Sequence, residues 1–334
     1  MKPAGACNIR SINKVAFQND AILVLDTDSD FDNVWIFDNK GNYIRAIGQQ
    51  EPTEEFGVAN MCVWKEETSL LFPSRHAFLA YENTDELPRV LKNGAFGDMI
   101  ERLDDGGYVL YNEHNPSEVT GNHYILVYDK AGNFLKKEMP YAAVKNAFGY
   151  AYTGFMERSG ENVWFSPPLS NTVYEVSAQG CSPRYEFDFG SKKIPADLAA
   201  GTPQGSEIDA YSFLNEWFVT NSHFVQFEYQ SNGRLCHGIF DEQTGQTIEL
   251  RNIQADCFSR LFSRGTIMPR SADEFVLVLN PDQLQSLLKN DLIYTKELNA
   301  AFNGLGDALV SAAKDKHTFL AYFTYQAGAG IPAI

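Results

Sequence analysis

The feature that most constrains the fold is a short phrase that occurs twice. Residues 34–45 read VWIFDNKGNYIR, and residues 125–136 read ILVYDKAGNFLK. In both, an apolar strand is followed by a turn and by a second strand. Asp38 and Asp129 suit hydrogen bonds to backbone amides inside the turn, and Gly41 and Gly132 supply the positive φ that a tight hairpin needs. The phrase therefore predicts a fold assembled from similar antiparallel hairpins.

Weaker copies of the hairpin occur at 174–180 and 238–245, and another strand pair precedes each copy. Two hairpins in series make a four-stranded unit, and their spacing of about 40 to 50 residues is typical of propeller blades. We therefore predict an all-β fold: a six-bladed β-propeller of four-stranded antiparallel blades, in one domain over residues 1–334. The predicted blades are 12–48, 58–92, 96–139, 150–190, 211–250 and 265–325.

A helical pattern interrupts the strands only near the end of the chain. Residues 282–289 follow Pro281, which favours the first turn of a helix, and a second helical stretch covers about 296–314. We predict a short helical insertion in the last blade. The strand at 317–323 should then pair within the blade that holds 265–279, or beside the first blade.

The charge balance excludes several classes of partner. Asp and Glu number 43 against 27 Lys and Arg, which gives a net charge of −16. Such a surface repels nucleic acid and anionic membranes. The chain contains no apolar run of transmembrane length, and we expect no transmembrane segment. The five cysteines are scattered, which argues against a disulfide framework and a zinc site and favours buried thiols.

Several segments resemble a known family. Residues 171–176, 183–190 and 193–195 are similar to the fourth-blade segment of six-bladed, NHL-like propeller (lipo)proteins from Gram-negative envelopes, and residues 22–26 with 35–48 resemble their first blade. The family has no established activity. The resemblance implies an exported protein in the periplasm or outer envelope, with Cys7 as a lipidation candidate. No export signal precedes Cys7, so a cytoplasmic location is the alternative. Gly48 leads into QQEPTEE rather than the family's Gly-rich phrase.

No catalytic motif is evident. The six histidines form no metal-binding pair, the two S-x-x-K matches lack partner motifs, and no G-x-S-x-G or dinucleotide loop occurs. The acidic run at 26–32 lacks the glycine and the final glutamate of a calcium loop, which favours a solvated hairpin loop over a cation site. We therefore predict no cofactor and no metal, and leave catalytic residues unassigned.

Propeller ligands usually bind where loops from several blades meet at one end of the channel. The connections between second and third strands share that end with the blade-to-blade connections. The candidate ligand-binding residues there are Arg75, His76, His114, Tyr141, Tyr150, Arg260 and Arg264. Cationic and aromatic groups suit a carboxylate-bearing or sugar-like ligand, or a protein partner.

Two hypotheses about function follow. The first is a non-catalytic envelope propeller that binds a small molecule, a glycan, a peptide or a protein at the channel mouth. The second is a propeller-fold hydrolase or lyase that acts on a carbohydrate or a related substrate. A tight cluster of His and Asp or Glu around a metal-sized gap would favour the enzyme.

Overall fold

The protein is described from a computed structural model. The residues that it describes are 9, 12–27, 33–48, 57–82, 87–113, 115–141, 154–199, 203, 205–220, 224–249, 266–269, 274–289, 295–301, 304–315 and 317–324.

The described chain forms a succession of small antiparallel sheets. The first five sheets contain four strands each, paired in an up-and-down order along the chain. Their strands are β1 (Ile12–Gln18), β2 (Ala21–Asp26), β3 (Asn33–Asp38), β4 (Tyr43–Ile47); β5 (Asn60–Trp64), β6 (Glu67–Phe72), β7 (Ala77–Tyr81), β8 (Arg89–Lys92); β9 (Met99–Arg102), β10 (Tyr108–Tyr111), β11 (His123–Tyr128), β12 (Phe134–Pro140); β13 (Phe155–Ser159), β14 (Asn162–Ser166), β15 (Thr172–Ser177), β16 (Gly180–Glu186); and β17 (Ser212–Thr220), β18 (Phe224–Ser231), β19 (Arg234–Asp241), β20 (Gln246–Glu249).

The hairpin turns are built as the repeated phrase predicts. The Asp38 carboxylate accepts hydrogen bonds from the backbone amides of Lys40 and Asn42, at 2.9 and 2.8 Å. Asp129 makes the same pair of bonds one copy later, both at 2.8 Å. Gly41 and Gly132 adopt φ angles of 79° and 82°. Hydrogen bonds from Asn42 and Asn133 lower the pKa of the two aspartates, so both turns are stabilised by a negative charge.

The prediction of six four-stranded blades is wrong in number. Among the described residues there are five four-stranded blades and a sixth sheet of three strands in the order β21-β22-β23. These are β21 (Thr266–Pro269), β22 (Glu274–Leu279) and β23 (Phe319–Thr324). The final strand pairs with β22, as expected. The sixth sheet differs from the four-stranded blades in that much of the chain between β22 and β23 is helical.

The helical insertion is confirmed, and among the described residues it covers the predicted span, with the second predicted stretch divided into two helices. It contains three helices, α3 (Pro281–Lys289), α4 (Thr295–Ala301) and α5 (Leu305–Lys314). Two single-turn helices, α1 (Ala196–Ala199) and α2 (Gly205–Ile208), lie between the fourth and fifth blades. Leu284, Leu298 and Leu309 are fully buried with Leu277 and Leu279 of β22, so the insertion packs onto the sixth sheet.

Hydrophobic clusters fill the spaces between neighbouring sheets. Leu23 of the first blade packs with Met61 and Leu70 of the second. On the far side of the first blade, Val24 packs with Val276 of the sixth sheet, which closes the ring. Side chains from alternate faces of each strand supply these clusters, as the period-two pattern requires.

The first strand of each blade lies innermost. β5 packs beside β1 and β9, and β13 packs beside β9 and β17. Side chains that leave these strands toward the ring axis therefore meet at the centre of the molecule. Cys62 and Cys236 are buried and free, as predicted, and Cys181 is half-buried. In the part of the chain that the structure describes, no helix has the length and apolar character needed to cross a membrane.

Candidate functional site

The two ends of the ring differ in their connections. One end, here the turn end, carries the β1–β2 and β3–β4 type of connection, for example 19–20, 65–66 and 160–161. The other end, here the loop end, carries the β2–β3 type and the blade-to-blade connections. These include 112–122, 187–211 with α1 and α2, and 280–318 with α3 to α5. The larger insertions therefore lie at the loop end.

Three of the seven predicted site residues can be placed, and all three lie at the loop end. Arg75 and His76 are in the β6–β7 connection of the second blade, and Tyr141 directly follows β12 of the third. His114, Tyr150, Arg260 and Arg264 lie outside the described residues. The placed residues thus share an end of the ring, with Arg75 and His76 in the second blade and Tyr141 after the last strand of the third.

Arg75 and His76 are presented by a fixed backbone. Residues Pro73–Arg75 form a 3₁₀ turn, and His76 ends it in the left-handed region at φ 46°. The His76 carbonyl accepts hydrogen bonds from the amides of Asn93 at 2.9 Å and Gly94 at 3.3 Å. Both side chains are exposed, and the Arg75 guanidinium carbon lies 5.0 Å from the centroid of the Phe72 ring. This rigid corner offers a cation and an imidazole to solvent.

Tyr141 is more enclosed. Its ring centroid lies 4.5 Å from that of Tyr124, and its amide donates to the carbonyl of Asn122 at 2.9 Å. Burial raises the pKa of the Tyr141 hydroxyl. The side chain packs with the core between the third and fourth blades, so its ring has a structural role at this end.

Sequence reasoning missed a charged cluster at the centre of the ring. We call Lys14, Glu101 and Glu157 the channel cluster. Lys14 Nζ lies 2.8 Å from Glu101 Oε1 and 3.4 Å from Glu157 Oε2. The three residues come from the innermost strands of the first, third and fourth blades. An ion pair therefore spans the channel.

The channel cluster has unusual electrostatics. Burial alone would lower the pKa of Lys14, but the charges of Glu101 and Glu157 outweigh it and raise that pKa. Burial raises the pKa of Glu157 to about 7, and the Glu101 charge adds to the rise against the opposing effect of Lys14. Burial also raises the pKa of the neighbouring Cys62 thiol, which leaves it protonated and unreactive.

A signal for this cluster was present in the sequence. Residues 99–102 read MIER and residues 155–158 read FMER, so a Glu-Arg pair recurs at matching positions of β9 and β13. Charged pairs inside an innermost strand are unexpected unless they meet partners, because unpaired burial is costly. The repeat was visible, but the residue that bridges it lies in another blade.

The arginines of both pairs clamp neighbouring blades at the turn end. Arg102 Nη2 donates to Glu67 Oε2 at 3.2 Å, and the Arg102 guanidinium carbon lies 4.1 Å from the centroid of the Tyr108 ring. The buried Glu67 also accepts hydrogen bonds from Tyr108 at 2.7 Å and Ser69 at 2.8 Å, and its other oxygen accepts one from Arg89 at 3.1 Å. Glu67 therefore accepts four hydrogen bonds and is the centre of a network between the second and third blades.

A crevice of about 200 Å³ lies beside this network, between the third and fourth blades. Its lining includes Asp104, Asp105, Glu161 and Glu175, together with Arg158. Arg158 Nη1 donates to the Glu161 carbonyl at 2.8 Å and lies 3.4 Å from Asp104. The partners of the Arg158 guanidinium thus include two residues of the crevice wall itself. Among the described residues, no group of three or more His, Cys, Asp or Glu side chains is arranged to hold a metal ion.

A family model described as a domain of unknown function, DUF4934, matches residues 5–308. No curated protein matches the chain.

Comparison with solved structures shows the fold. A crystal structure of a Bacteroides fragilis protein, provisionally described as exported, is 16% identical, covers 98% of this chain and 94% of its own, and has a TM-score of 0.74. An inactive virginiamycin B lyase from Staphylococcus aureus with quinupristin is 9% identical, with 79% and 75% coverage and a TM-score of 0.48. AztD from Citrobacter koseri is 9% identical, with 80% and 68% coverage and a TM-score of 0.44.

Proposed function

The chain belongs to the DUF4934 family, and on that premise we propose that it is an exported, non-catalytic propeller of the cell envelope that binds a ligand at its loop end. The ligand class is a small molecule, a glycan, a peptide or a protein. The periplasm or the outer envelope is the proposed location, supported by the similar fold of a Bacteroides fragilis protein provisionally described as exported. We further infer that the three-stranded sheet is the sixth blade of an NHL-like ring.

The observation that carries the proposal is the asymmetry of the two ends. Long connections such as 112–122, 187–211 and 280–318 leave the rigid strands at the loop end. Binding residues are commonly placed on loops that a rigid scaffold positions. At the turn end, by contrast, charged side chains bind one another, such as Glu67 with Arg89 and Arg102.

The ligand chemistry follows from the groups exposed at the loop end. Arg75 and His76 project from a backbone that is held by hydrogen bonds to the β8–β9 connection. Guanidinium groups bind carboxylates in bidentate geometry. On a protein of net charge −16, a cationic corner favours an acidic sugar or a carboxylate-bearing peptide over a neutral ligand.

A hydrolase or lyase is the second candidate. The observation in its favour is Glu157, whose side chain is 34% exposed in the channel beside Glu101. Two carboxylates with unequal environments are a common acid–base arrangement. Against it, Lys14 already occupies the space between the two carboxylates at 2.8 and 3.4 Å, so a substrate would have to displace an ion pair.

One titration series separates the two candidates. The purified protein is titrated by calorimetry with oligogalacturonates, neutral oligosaccharides and acidic peptides, and each mixture is assayed for turnover. Arg75→Gln combined with His76→Asn should weaken binding at least tenfold without any turnover to lose; asparagine suits the left-handed backbone at position 76. Lys65→Gln is the control, because Lys65 lies 4.7 Å over Trp64 at the turn end. Turnover that Glu157→Gln abolishes would establish the enzyme instead.

A further inference from the structure

The channel cluster has one more negative than positive group. Lys14 contributes one positive charge, and Glu101 and Glu157 contribute two negative charges when both are ionised. The side chains of Lys14 and Glu101 are 14% and 2% exposed, so their pair is shielded from water. Glu157 is the most accessible of the three, at 34%. Because Lys14 lies closer to Glu101, the excess charge falls to Glu157.

Among the described residues, Lys14 is the only cation that acts on the carboxyl of Glu157. The groups that act on its carboxyl are Lys14 of β1 and Glu101 of β9. Within its own sheet, Glu157 is paired in register with Trp164 of β14, which does not ionise. β5 contributes the protonated Cys62 thiol, and the described side chains of β17 include no charged group. An uncompensated charge in such a place is costly, and a proton is the simplest neutraliser.

We propose that Glu157 is a proton-binding site in the central channel, and that its proton decides whether Lys14 bridges the third and fourth blades or pairs with Glu101 alone. When Glu157 is ionised, Lys14 joins β1 to both β9 and β13. When Glu157 is protonated, the attraction to the fourth blade is lost and the Lys14–Glu101 pair becomes electrically balanced. The ring thus contains a pH-sensitive tie across its axis. This inference is independent of the proposed ligand.

Glu157 loses its proton near neutral pH. Burial raises the pKa of Glu157 to about 7, whereas an ordinary glutamate loses its proton near pH 4.3. Since the folded protein holds this proton more tightly than the unfolded chain, the contribution of Glu157 to stability is fully present below about pH 4.3 and is lost as the pH rises to about 7.

The test is the pH dependence of unfolding in urea, measured for the wild type and for Glu157→Gln between pH 5 and 8.5. Relative to the variant, the wild-type unfolding constant should rise by a few-fold, and by at most about tenfold, for each pH unit up to about 7. Parallel curves for the two proteins would overturn the proposal.

Glu175→Gln is the matched control. Glu175 is paired in register with Trp164 from the opposite side, on β15 of the same blade. Its curve should follow that of the wild type. If Glu175→Gln removed the pH dependence as fully as Glu157→Gln does, the proposal would be rejected.

A second measurement uses the wild-type protein and needs no variant to fold. Carbon-13 NMR of labelled glutamate carboxyls should show a resonance that titrates near pH 7, well above the usual value of about 4.3. If every glutamate resonance titrated below about pH 5.5, Glu157 would hold no proton at neutral pH, and the tie would not respond to pH in that range.

Discussion

Arg158 of the fourth blade stacks on Trp64 of the second blade, with 3.8 Å between its guanidinium carbon and the centroid of the indole. The arginine reaches past the third blade and also donates to the backbone carbonyl of Arg102 on the way. Its side chain is only 8% exposed. The contact therefore joins three consecutive blades at the turn end.

A double-mutant cycle measures this contact. Combining Trp64→Leu with Arg158→Met should give a coupling free energy of about 2 kcal/mol in urea unfolding, because a desolvated cation–π pair is stronger than an exposed one. Arg184 and Tyr185 provide the comparison cycle. The Arg184 guanidinium carbon lies 5.8 Å from the centroid of the Tyr185 ring, and we expect little coupling between them. Equal coupling in both cycles would show that burial of Arg158 adds nothing.

Among the charged residues of the turn end, substitution of Glu67 should lower the free energy of unfolding most. Glu67→Gln leaves the largely buried Arg102, 12% exposed, without its carboxylate, and it should lower the free energy of unfolding by about 3 kcal/mol. Glu82→Gln is the control. Glu82 also pairs with Arg89, at 3.2 Å, but is 68% exposed, and its loss should cost less than about 1 kcal/mol. Similar losses for both variants would contradict the central role of Glu67.

The turn glycine of the third blade is constrained in two ways. Gly132 has φ 82°, and a Cβ there would lie 3.1 Å from the Cβ of Leu91 in the second blade. Gly132→Val should therefore destabilise the protein by about 1 kcal/mol or more. Gly160, with φ 62° and no atom within 4 Å of its added Cβ, tests strain alone. Gly160→Val should cost less, as measured by the midpoint of urea unfolding.

Local chemistry explains what could be predicted from the sequence. Asp38 and Asp129 made their turns predictable because their carboxylates accept hydrogen bonds from backbone amides only two and four residues away. The helices between β22 and β23 were visible from Pro281 and helical periodicity. The number of strands in the sixth sheet was not, because strand pairing depends on distant segments.

The central cluster escaped prediction for the same reason. Lys14 and Glu101 are 87 residues apart in sequence and become neighbours only through closure of the ring. The recurring Glu-Arg pair marked two of the inner strands, but nothing near position 14 indicated its partner. At the loop end, the structure places Arg75, His76 and Tyr141 in connections between strands. Whether all seven candidate residues converge there stays a prediction.

Asp98 provides a second pH-dependent contribution, distinct from Glu157. Burial raises its pKa to about 6, against hydrogen bonds from the Glu113 amide and the Asn115 side chain that lower it. Stability should fall as the pH rises from about 4 to about 6, since the folded state holds the proton more tightly. Asp98→Asn should equal the wild type near pH 4 and exceed it by up to about 3 kcal/mol at pH 8. A variant less stable than the wild type at pH 8 would contradict this.

The central claim, that the loop end binds the ligand, is tested most directly by hydrogen–deuterium exchange. The protein is measured with and without a saturating amount of the tightest oligogalacturonate or acidic peptide from the calorimetric series. The account predicts slower exchange at 73–76, 93–98 and 112–122, with no change at the turns 19–20, 65–66 and 160–161. Protection confined to those turns would place the ligand at the opposite end and contradict the account.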